Sequence, residues 1–498
     1  MLARSQKYFR SYLPAVHFIQ WMRKADRDAE VRITPQRSLS LHPSMHATDT
    51  ICAISSPPGV GAIALLRITG PRAFATAERL SPTLPLEPLF RHAYFVPLID
   101  MDGEIDEGIM TFFKGPNSFT GEDVVEIGVH GSPYIQQRLL HAMIEAGARL
   151  AAPGEFTQRA FLNGRMDLSQ AEAVADLIAS STAAQHRLAL DQMRGGFGKR
   201  IEELRQQLID FGALIELELD FSEEDVEFAQ RIELLALLSR LIDLCTELID
   251  SFRFGNAVKE GVPVAIVGAP NSGKSTLLNA LLQEDRAIVS DIPGTTRDTV
   301  EETINIGGIP FRFIDTAGLR RTSDQVEKLG IERSYKKAAS AQIVVLLADA
   351  SIMSEGALNT EAGLLRQRIG DAPNVIPVMN KTDLPGPHRP AMVRNNILHI
   401  SARTGEGLEA LKEFFIQHVN GLQSGTGDIV VTNARHVEAL TRSRAALIDA
   451  KKAIAQGVSG ELLAIDLRRA QHHLGEITGR ITTEDLLGSI FGRFCIGK

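Results

Sequence analysis

The sequence predicts a multidomain α+β protein. It has an N-terminal α+β domain, a helical domain, and an α/β domain with a mostly parallel sheet inserted into the helical one. Three observations carry that expectation. Hydrophobic strands alternate with helices across residues 262–420, the mark of a parallel sheet covered by helices. On both sides of that stretch apolar residues recur at three- and four-residue spacing. Ahead of both, residues 50–165 carry short β-prone runs broken by Pro and Gly turns. At 498 residues the chain is also too long for one ordinary core.

Residues 1–47 carry Arg4, Lys7, Arg10, Arg23, Lys24, Arg27, Arg32 and Arg37 and the sole tryptophan, Trp21. An organellar transit peptide would explain the basic residues, but Asp26, Asp28 and Glu30 oppose it, because such peptides are poor in acids. The segment reads instead as a disordered extension, or as sequence upstream of a start at Met45. The first folded domain is expected over 48–165. "TICAISSPPGVGAIALLRITG" (50–70) gives strands around a Pro-Pro-Gly turn, "VVEIGVH" (124–130) another strand, and "YIQQRLLHAMIEAGARL" a helix. From Ser169 the period becomes helical, through Val174, Leu177 and Ile178 and then Ile201, Leu204, Leu208, Phe211 and Ile215. Ser169 with Glu172 reads as a capping box at its start. These helices span 166–258, the α/β insert 259–421, and after the Gly/Ser hinge "GLQSGTGD" (421–428) helices resume over 422–498.

Composition narrows the function classes. A formal net charge of −8 excludes a protein coated in basic surface, although a local patch for nucleic acid stays open. The three cysteines, Cys52, Cys245 and Cys495, are far apart and odd in number, so neither a disulfide framework nor a zinc pattern follows. A reducing compartment is the simplest setting. The cytoplasm is therefore expected, with the mitochondrion as the alternative if residues 1–47 are a transit peptide. No apolar run approaches the ~20 residues that span a bilayer.

"VPVAIVGAPNSGKSTLLNALL" (262–282) is a buried strand, a Gly-rich loop and a helix, the context a P-loop requires. Gly268 and Gly273 let backbone N–H groups wrap phosphates, Lys274 reaches the outer ones, and the Ser275 hydroxyl can ligate Mg²⁺. The competing reading, a plain Gly-rich turn, does not explain the full spacing. Four later stretches extend the pattern. In "DTAG" (315–318), Asp315 can hold the metal's water shell and the Gly318 N–H can face a γ-phosphate, with Thr316 and Ala317 between them. "NKTD" (380–383) suits guanine, because the Asp383 carboxylate accepts from both N1–H and the 2-amino group, a donor pair adenine lacks. Asn380 and Lys381 open that motif, and Ser401, Ala402 and Arg403 complete the base pocket. Thr296, in "DIPGTTRD" (291–298), is the switch threonine for Mg²⁺ and the γ-phosphate. The GTP-contacting set is then Asn271, Ser272, Gly273, Lys274, Ser275 and Thr276 with Ser290, Asp291, Ile292, Pro293, Gly294, Thr295 and Thr296, joined by the "DTAG", "NKTD" and "SAR" residues.

Two departures from the Ras pattern matter. Leu319 after "DTAG" cannot orient an attacking water as a glutamine would, which leaves Asp324 and Glu327 downstream, each otherwise a solvated loop carboxylate. Asn271, beside a threonine-rich switch, offers a neutral oxygen for a monovalent cation where other GTPases use an arginine finger.

These motifs, with "PNSFTGEDVVEIGVHG" (116–131), "PGEFTQRAFLNGRMDLSQAEAVADLI" (153–178) and the terminal "FCIGK", resemble the tRNA-modifying GTPase family called MnmE or TrmE over roughly residues 48–498. The resemblance implies a homodimer whose N-terminal domain binds 5-formyl- or methylene-tetrahydrofolate. It implies a FAD-dependent partner, MnmG or GidA, in a heterotetramer or larger complex. Together they would place an aminomethyl or carboxymethylaminomethyl group on C5 of the wobble uridine of certain tRNAs. It assigns K⁺ ligands to Asn271, Ser290, Ile292 (through its carbonyl) and Thr295, and water orientation to Glu327. The folate positions fall on Arg67, Glu126, Arg165 and Lys498; a lysine often stands where Arg165 is, so the charge is kept and the contact geometry changed. A prenylation box at the end of the chain is disfavoured, since Gly497 is not aliphatic and Lys498 is a poor last residue. The resemblance places Cys495 and Lys498 at the modification site, with Cys495 a nucleophile or, in the rival reading, a small apolar neighbour of the folate. Era- or Der-type ribosome-assembly GTPases share the nucleotide motifs, but no GXXG loop in a KH-like setting and no second P-loop occurs here.

Overall fold

The computed structural model describes residues 49–220, 231–284, 302–314, 338–370, 373–384, 393–394, 397–422, 429–458 and 460–497. The N-terminal sheet is built from β1 (Ile51–Ile54), β2 (Ile63–Thr69), β3 (Ala93–Asp100), β4 (Gly103–Phe113), β5 (Val124–His130) and β6 (Arg149–Leu150), in the order β3-β4-β5-β2-β1-β6. Its neighbours are antiparallel except β1 with β6. Strand alternation sorts the side chains. Cys52, Leu66, Ile68, Met110, Phe112, Val125 and Ile127 bury one face beneath helices Ala73–Leu80 and Pro133–Glu145. The intervening residues, among them Arg67 and Glu126, which sit directly opposite each other on β2 and β5, take the other face.

Helices Leu168–Ala179, Ala183–Met193, Gly196–Asp220 and Arg231–Glu260 precede the second sheet, and helices Ala434–Ala455, Gly460–Thr478 and Glu484–Phe491 follow it. Both groups share one core. Ile201, Leu204, Leu208 and Ile215 pack in it with Leu238 and Leu241 from before the sheet and Leu440, Leu447, Leu467 and Leu474 from after it. Each helix has an apolar stripe that it cannot bury alone, so the two groups close on one another and the α/β segment is an insertion. Of the expected stripe, Ile201, Leu204, Leu208 and Ile215 are buried, Val174, Leu177 and Phe211 are partly buried, and Ile178 is exposed.

The expected capping box is displaced by two residues. Asp167 caps the helix, accepting from the Gln170 N–H at 2.9 Å, while Gln170 Oε1 accepts from the Asp167 N–H at 3.0 Å. Asp-x-x-Gln obeys the same reciprocal logic as Ser-x-x-Glu, and Ser169 and Glu172 then fall inside the first turns. Glu172 is engaged elsewhere. It accepts from Arg435 Nε at 3.0 Å and Nη2 at 2.8 Å, and its Oε2 lies 2.8 Å from His436 Nε2. Burial alone would raise the Glu172 carboxyl, but hydrogen bonds and charge from His436 and Arg435 outweigh it and hold it at about 2. The enclosed His436 imidazole is pushed below its ordinary value, chiefly by burial and against the pull of Glu172.

The inserted sheet runs β12-β13-β11-β10-β7-β9-β8, from β7 (Val262–Val267), β8 (Glu302–Ile306), β9 (Ile309–Phe313), β10 (Ile343–Asp349), β11 (Asn374–Asn380), β12 (Val393–Arg394) and β13 (Ile397–His399). Strands β9, β7, β10, β11 and β13 are parallel, and β8 and β12 run antiparallel at the edges. The continuously buried "VVLLA" of β10 is the run expected of a central parallel strand. Both crossings between insert and helices are pinned. Lys259 pairs with Asp176 at 2.7 Å and its carbonyl accepts from Gln185, while the returning Val430–Thr432 is held by Gln192 and Ser251. A cavity of about 200 Å³ lies between these pins, lined by Asp176, Gln185, Gln192, Lys259 and Thr432.

Replacing Glu172 by Ala leaves the partly buried Arg435 and the buried His436 without their carboxylate, and should cost about 3 kcal/mol in urea unfolding at pH 7. The folded pKa lies below the unfolded one, so Glu172's contribution is present above about pH 4.3 and lost as pH falls towards 2. The gap between variant and wild type should close over that window; a gap unchanged at pH 3 would contradict the assignment.

Candidate nucleotide site and terminal-tail site

The carboxyl ends of β7, β10, β11 and β13 converge at one edge of the inserted sheet, where open α/β sheets bind ligands. The loop after β7 turns through Asn271 (φ 63°) and Gly273 (φ 98°) into helix Lys274–Glu284. Ser275 and Thr276 therefore lie in the first helical turn, where unpaired N–H groups and the helix dipole favour anions. Lys274 Nζ lies over this loop, donating to the carbonyls of Gly268 at 2.9 Å and Ala269 at 2.8 Å. Burial pushes its pKa down, which matches an ammonium drawn into a recess. Ser272 is buried, and its hydroxyl oxygen has no hydrogen-bond partner among the described residues. An anion in the loop would fit that donor set.

Asn380 ties the loop to the rest of the edge. Its Nδ2 donates to the Ser272 carbonyl at 2.8 Å, and its Oδ1 accepts from the Ala402 N–H at 2.9 Å. Gly273 is required for this approach, since a Cβ there would lie 2.2 Å from Asn380 Nδ2. Ser401 Oγ donates to Asp383 Oδ1 at 2.7 Å and accepts from the Thr404 N–H, which fixes the carboxylate's orientation. Lys381, at φ 67°, donates from Nζ to Asp349 Oδ2 at 2.6 Å. Burial would raise Asp349, but hydrogen bonds from Lys381 and Ser351 outweigh it and hold the carboxyl below its ordinary range. Arg403 is exposed on the turn after Ala402. The structure thus brings together residues 271–276, Asn380, Lys381, Asp383, Ser401 and Ala402. Asp349 was missed by the sequence reading; its one signal was an acid closing an otherwise apolar strand, "IVVLLAD".

A second convergence lies on the N-terminal sheet. Arg67 donates to Glu126 Oε1 from Nε at 3.0 Å and from Nη2 at 2.6 Å, and its guanidinium carbon lies over the rings of Phe119 (5.1 Å) and Phe156 (5.7 Å). The C-terminal tail docks at the end of β1, the strand paired with that of Arg67. Phe491 and Phe494 pack with Phe161, Met166 and Leu168. The Gly154 N–H donates to the Cys495 carbonyl at 3.4 Å, and Ser55 Oγ donates to the Gly497 carbonyl at 3.2 Å. Gly497 (φ 92°) is needed there, because a Cβ would sit 2.4 Å from the Ile54 carbonyl oxygen. Ser55 follows β1, whose Ala53 faces Arg67 across the sheet. Arg165 is exposed, its chain running past Gly121. Burial pushes the Cys52 and Cys245 thiols up to about 12, whereas Cys495 is exposed at the docked tail. Ser290, Asp291, Ile292, Pro293, Gly294, Thr295, Thr296, Asp315, Thr316, Ala317, Gly318, Leu319, Asp324, Glu327 and Lys498 lie outside the described residues.

Comparison with known proteins follows the same division. Residues 50–165 match the family "GTP-binding protein TrmE N-terminus", and residues 168–495 match "MnmE helical domain". The chain is 46% identical over 476 residues to the tRNA modification GTPase MnmE of Christiangramia forsetii, covering 91% of this chain and 100% of that protein. It is 48% identical over 454 residues to the protein of the same name from Cytophaga hutchinsonii, covering 91% and 98%. Among solved structures, the G domain of the T. maritima FeoB iron transporter aligns with 32% of this chain and 98% of its own, at 29% identity and a TM-score of 0.22.

Gly273→Ala places a methyl group against the Asn380 amide in a backbone conformation alanine resists, so GTP affinity should fall by about tenfold or more in calorimetric titration. Gly363, in helix Glu355–Ile369, has open space around it, and Gly363→Ala should leave affinity unchanged. Equal affinities for wild type and Gly273→Ala would contradict the close-approach argument.

Proposed function

This chain belongs to the MnmE (TrmE) family of tRNA modification GTPases, and from that premise we propose the finer chemistry of its two sites. Its coarse activity is GTP hydrolysis serving tRNA modification. The observation that carries the nucleotide reading is Asn380, whose amide joins the Lys274 loop to the Ser401–Ala402 turn and so brings phosphate and base ends to one edge. Lys274 neutralises the outer phosphates, Asp383 reads the guanine edge, and Ser275 with Thr296 holds Mg²⁺. Asn271, Ser290, Thr295 and the Ile292 carbonyl hold K⁺, which supplies charge stabilisation between the phosphates. Glu327 orients the attacking water. Closure of paired G domains and their reopening on hydrolysis then drive chemistry elsewhere in the molecule.

The second site is the Arg67–Glu126 pair with the docked tail. Arg67, Glu126, Arg165 and Lys498 would hold a reduced folate, which would supply the one-carbon unit for the C5 methylene of the wobble uridine (position 34). A FAD-dependent partner of the MnmG/GidA type handles the redox step in a heterotetramer or larger assembly. The product is an aminomethyl or carboxymethylaminomethyl uridine. Support comes from the guanidinium stacked on two aromatic rings, a surface suited to a planar, anionic ligand, and from Cys495, exposed on the tail that docks at the end of β1. The domain limits we propose are 48–165, 166–258, 259–421 and 422–498. A homodimer is supported by the apolar side chains left open on the N-terminal sheet, where Phe95 and Ile109 face each other at 69% and 49% exposure.

The base pocket is tested by Asp383→Asn, which should shift preference from guanosine to xanthosine nucleotides; unchanged selectivity would sink that assignment. The tail is tested by mass spectrometry of wobble-uridine nucleosides in cells carrying Cys495→Ser. Loss of modification with GTP hydrolysis intact is expected, and full modification would show that no protein thiol takes part.

A further inference from the structure

We propose that His472, His473 and Glu476 form a binding site for a divalent transition-metal ion, best matched by Zn²⁺. The three residues occupy positions i, i+1 and i+4 near the end of helix Gly460–Thr478, which gives no residue to the nucleotide loop or the Arg67–Glu126 pair. His472 Nε2 lies 3.4 Å from Glu476 Oε1, and His473 Nδ1 lies 3.2 Å from Glu476 Oε2. One ligand atom from each of the three lies within 4.8 Å of the others.

Metal geometry makes those distances informative. Ligand atoms ~2.0–2.1 Å from a tetrahedral Zn²⁺ stand about 3.3–3.4 Å apart. Each imidazole therefore already stands at nearly that distance from one of the two Glu476 oxygens, and rotation of the carboxylate and of His472, the more exposed ring at 51% against 19% for His473, brings one oxygen and both nitrogens into a common triangle. A single His–Glu pair at i, i+4 is an ordinary surface ion pair. Here a second imidazole converges on the other oxygen of the same carboxylate, which no surface pair needs.

The surroundings hold the set in place. Arg435 Nη1 donates to the Glu476 carbonyl at 2.6 Å, fixing the main chain beneath the ligands. The Arg435 charge is matched by Glu172, so it does not compete for the Glu476 carboxylate. Two imidazoles and a carboxylate select borderline ions such as Zn²⁺ over Mg²⁺, which prefers oxygen donors and keeps its waters. Three protein ligands leave a fourth position towards solvent. Occupancy would fasten the final turn of the helix from which residues 479–497 run to the docked tail.

The test is calorimetric titration of full-length, untagged, chelator-stripped protein with ZnCl₂ alone, beside His472→Ala/His473→Ala, Glu476→Gln and Cys495→Ser. Wild type should bind one more Zn²⁺ per chain than the double variant, and Glu476→Gln should weaken that site by about tenfold or more. MgCl₂ should give no heat at the site, and GTP turnover should be equal in wild type and the two helix variants. Superimposable isotherms for wild type and the double variant would overturn the proposal. So would loss of the same binding event in Cys495→Ser instead, which would assign the zinc to the tail thiol.

Discussion

Two groups of helices, before and after a long insertion, share one apolar core, and the seating of the C-terminal tail depends on that closure. No helix among the described residues is long and apolar enough to cross a membrane. The helices bury their apolar stripes against each other. Leu204 and Leu208 meet Leu467 and Leu474 across a gap of more than two hundred residues. That contact returns the chain from the inserted sheet and aims its last helix at β1. Without it Cys495 would have no fixed position.

Hydrophobic burial sets the closure, but polar contacts set its register. Glu172 reaches Arg435 and His436, Gln192 reaches Thr432, and Ser251 reaches the Val431 N–H. Each joins the first helical group to the strand or helix that follows the insert. The outgoing crossing is held by Asp176 with Lys259, by the Gln185 contact to the Lys259 carbonyl, and by Ala257 and the partly buried Phe254, which pack into the core of the inserted sheet. Burial pushes the Asp176 carboxyl up despite Lys259 beside it, so this pair is less favourable than the Glu172 cluster.

The cysteines and the nucleotide edge show how environment separates residues of one type. Burial raises Cys52 and Cys245 and removes them from chemistry, whereas the tail carries Cys495 out to solvent. Of the acids at the sheet edge, Asp383 is oriented by a serine and Asp349 is neutralised by Lys381. On the reading proposed above, the first recognises the guanine and the second holds the loop that carries it.

Much was legible in the sequence. Strand and helix periods, the Gly-rich loop and the order of the guanine motifs are local signals, because backbone hydrogen bonding and side-chain alternation act over a few residues. They placed β5 at its observed limits, identified the insertion, and named Lys274, Asn380 and Asp383. The capping box was misplaced because two overlapping pairs satisfied the same local rule, and only the partner of Glu172, 263 residues away, decided between them. The role of Asp349, the approach of the Asn380 amide to Gly273, the need for glycine at 497, and the seating of the tail at the end of β1 were likewise outside the sequence's reach. Each depends on which distant atoms approach within a few ångströms, and that is set by the packing of whole elements rather than by the propensity of any one.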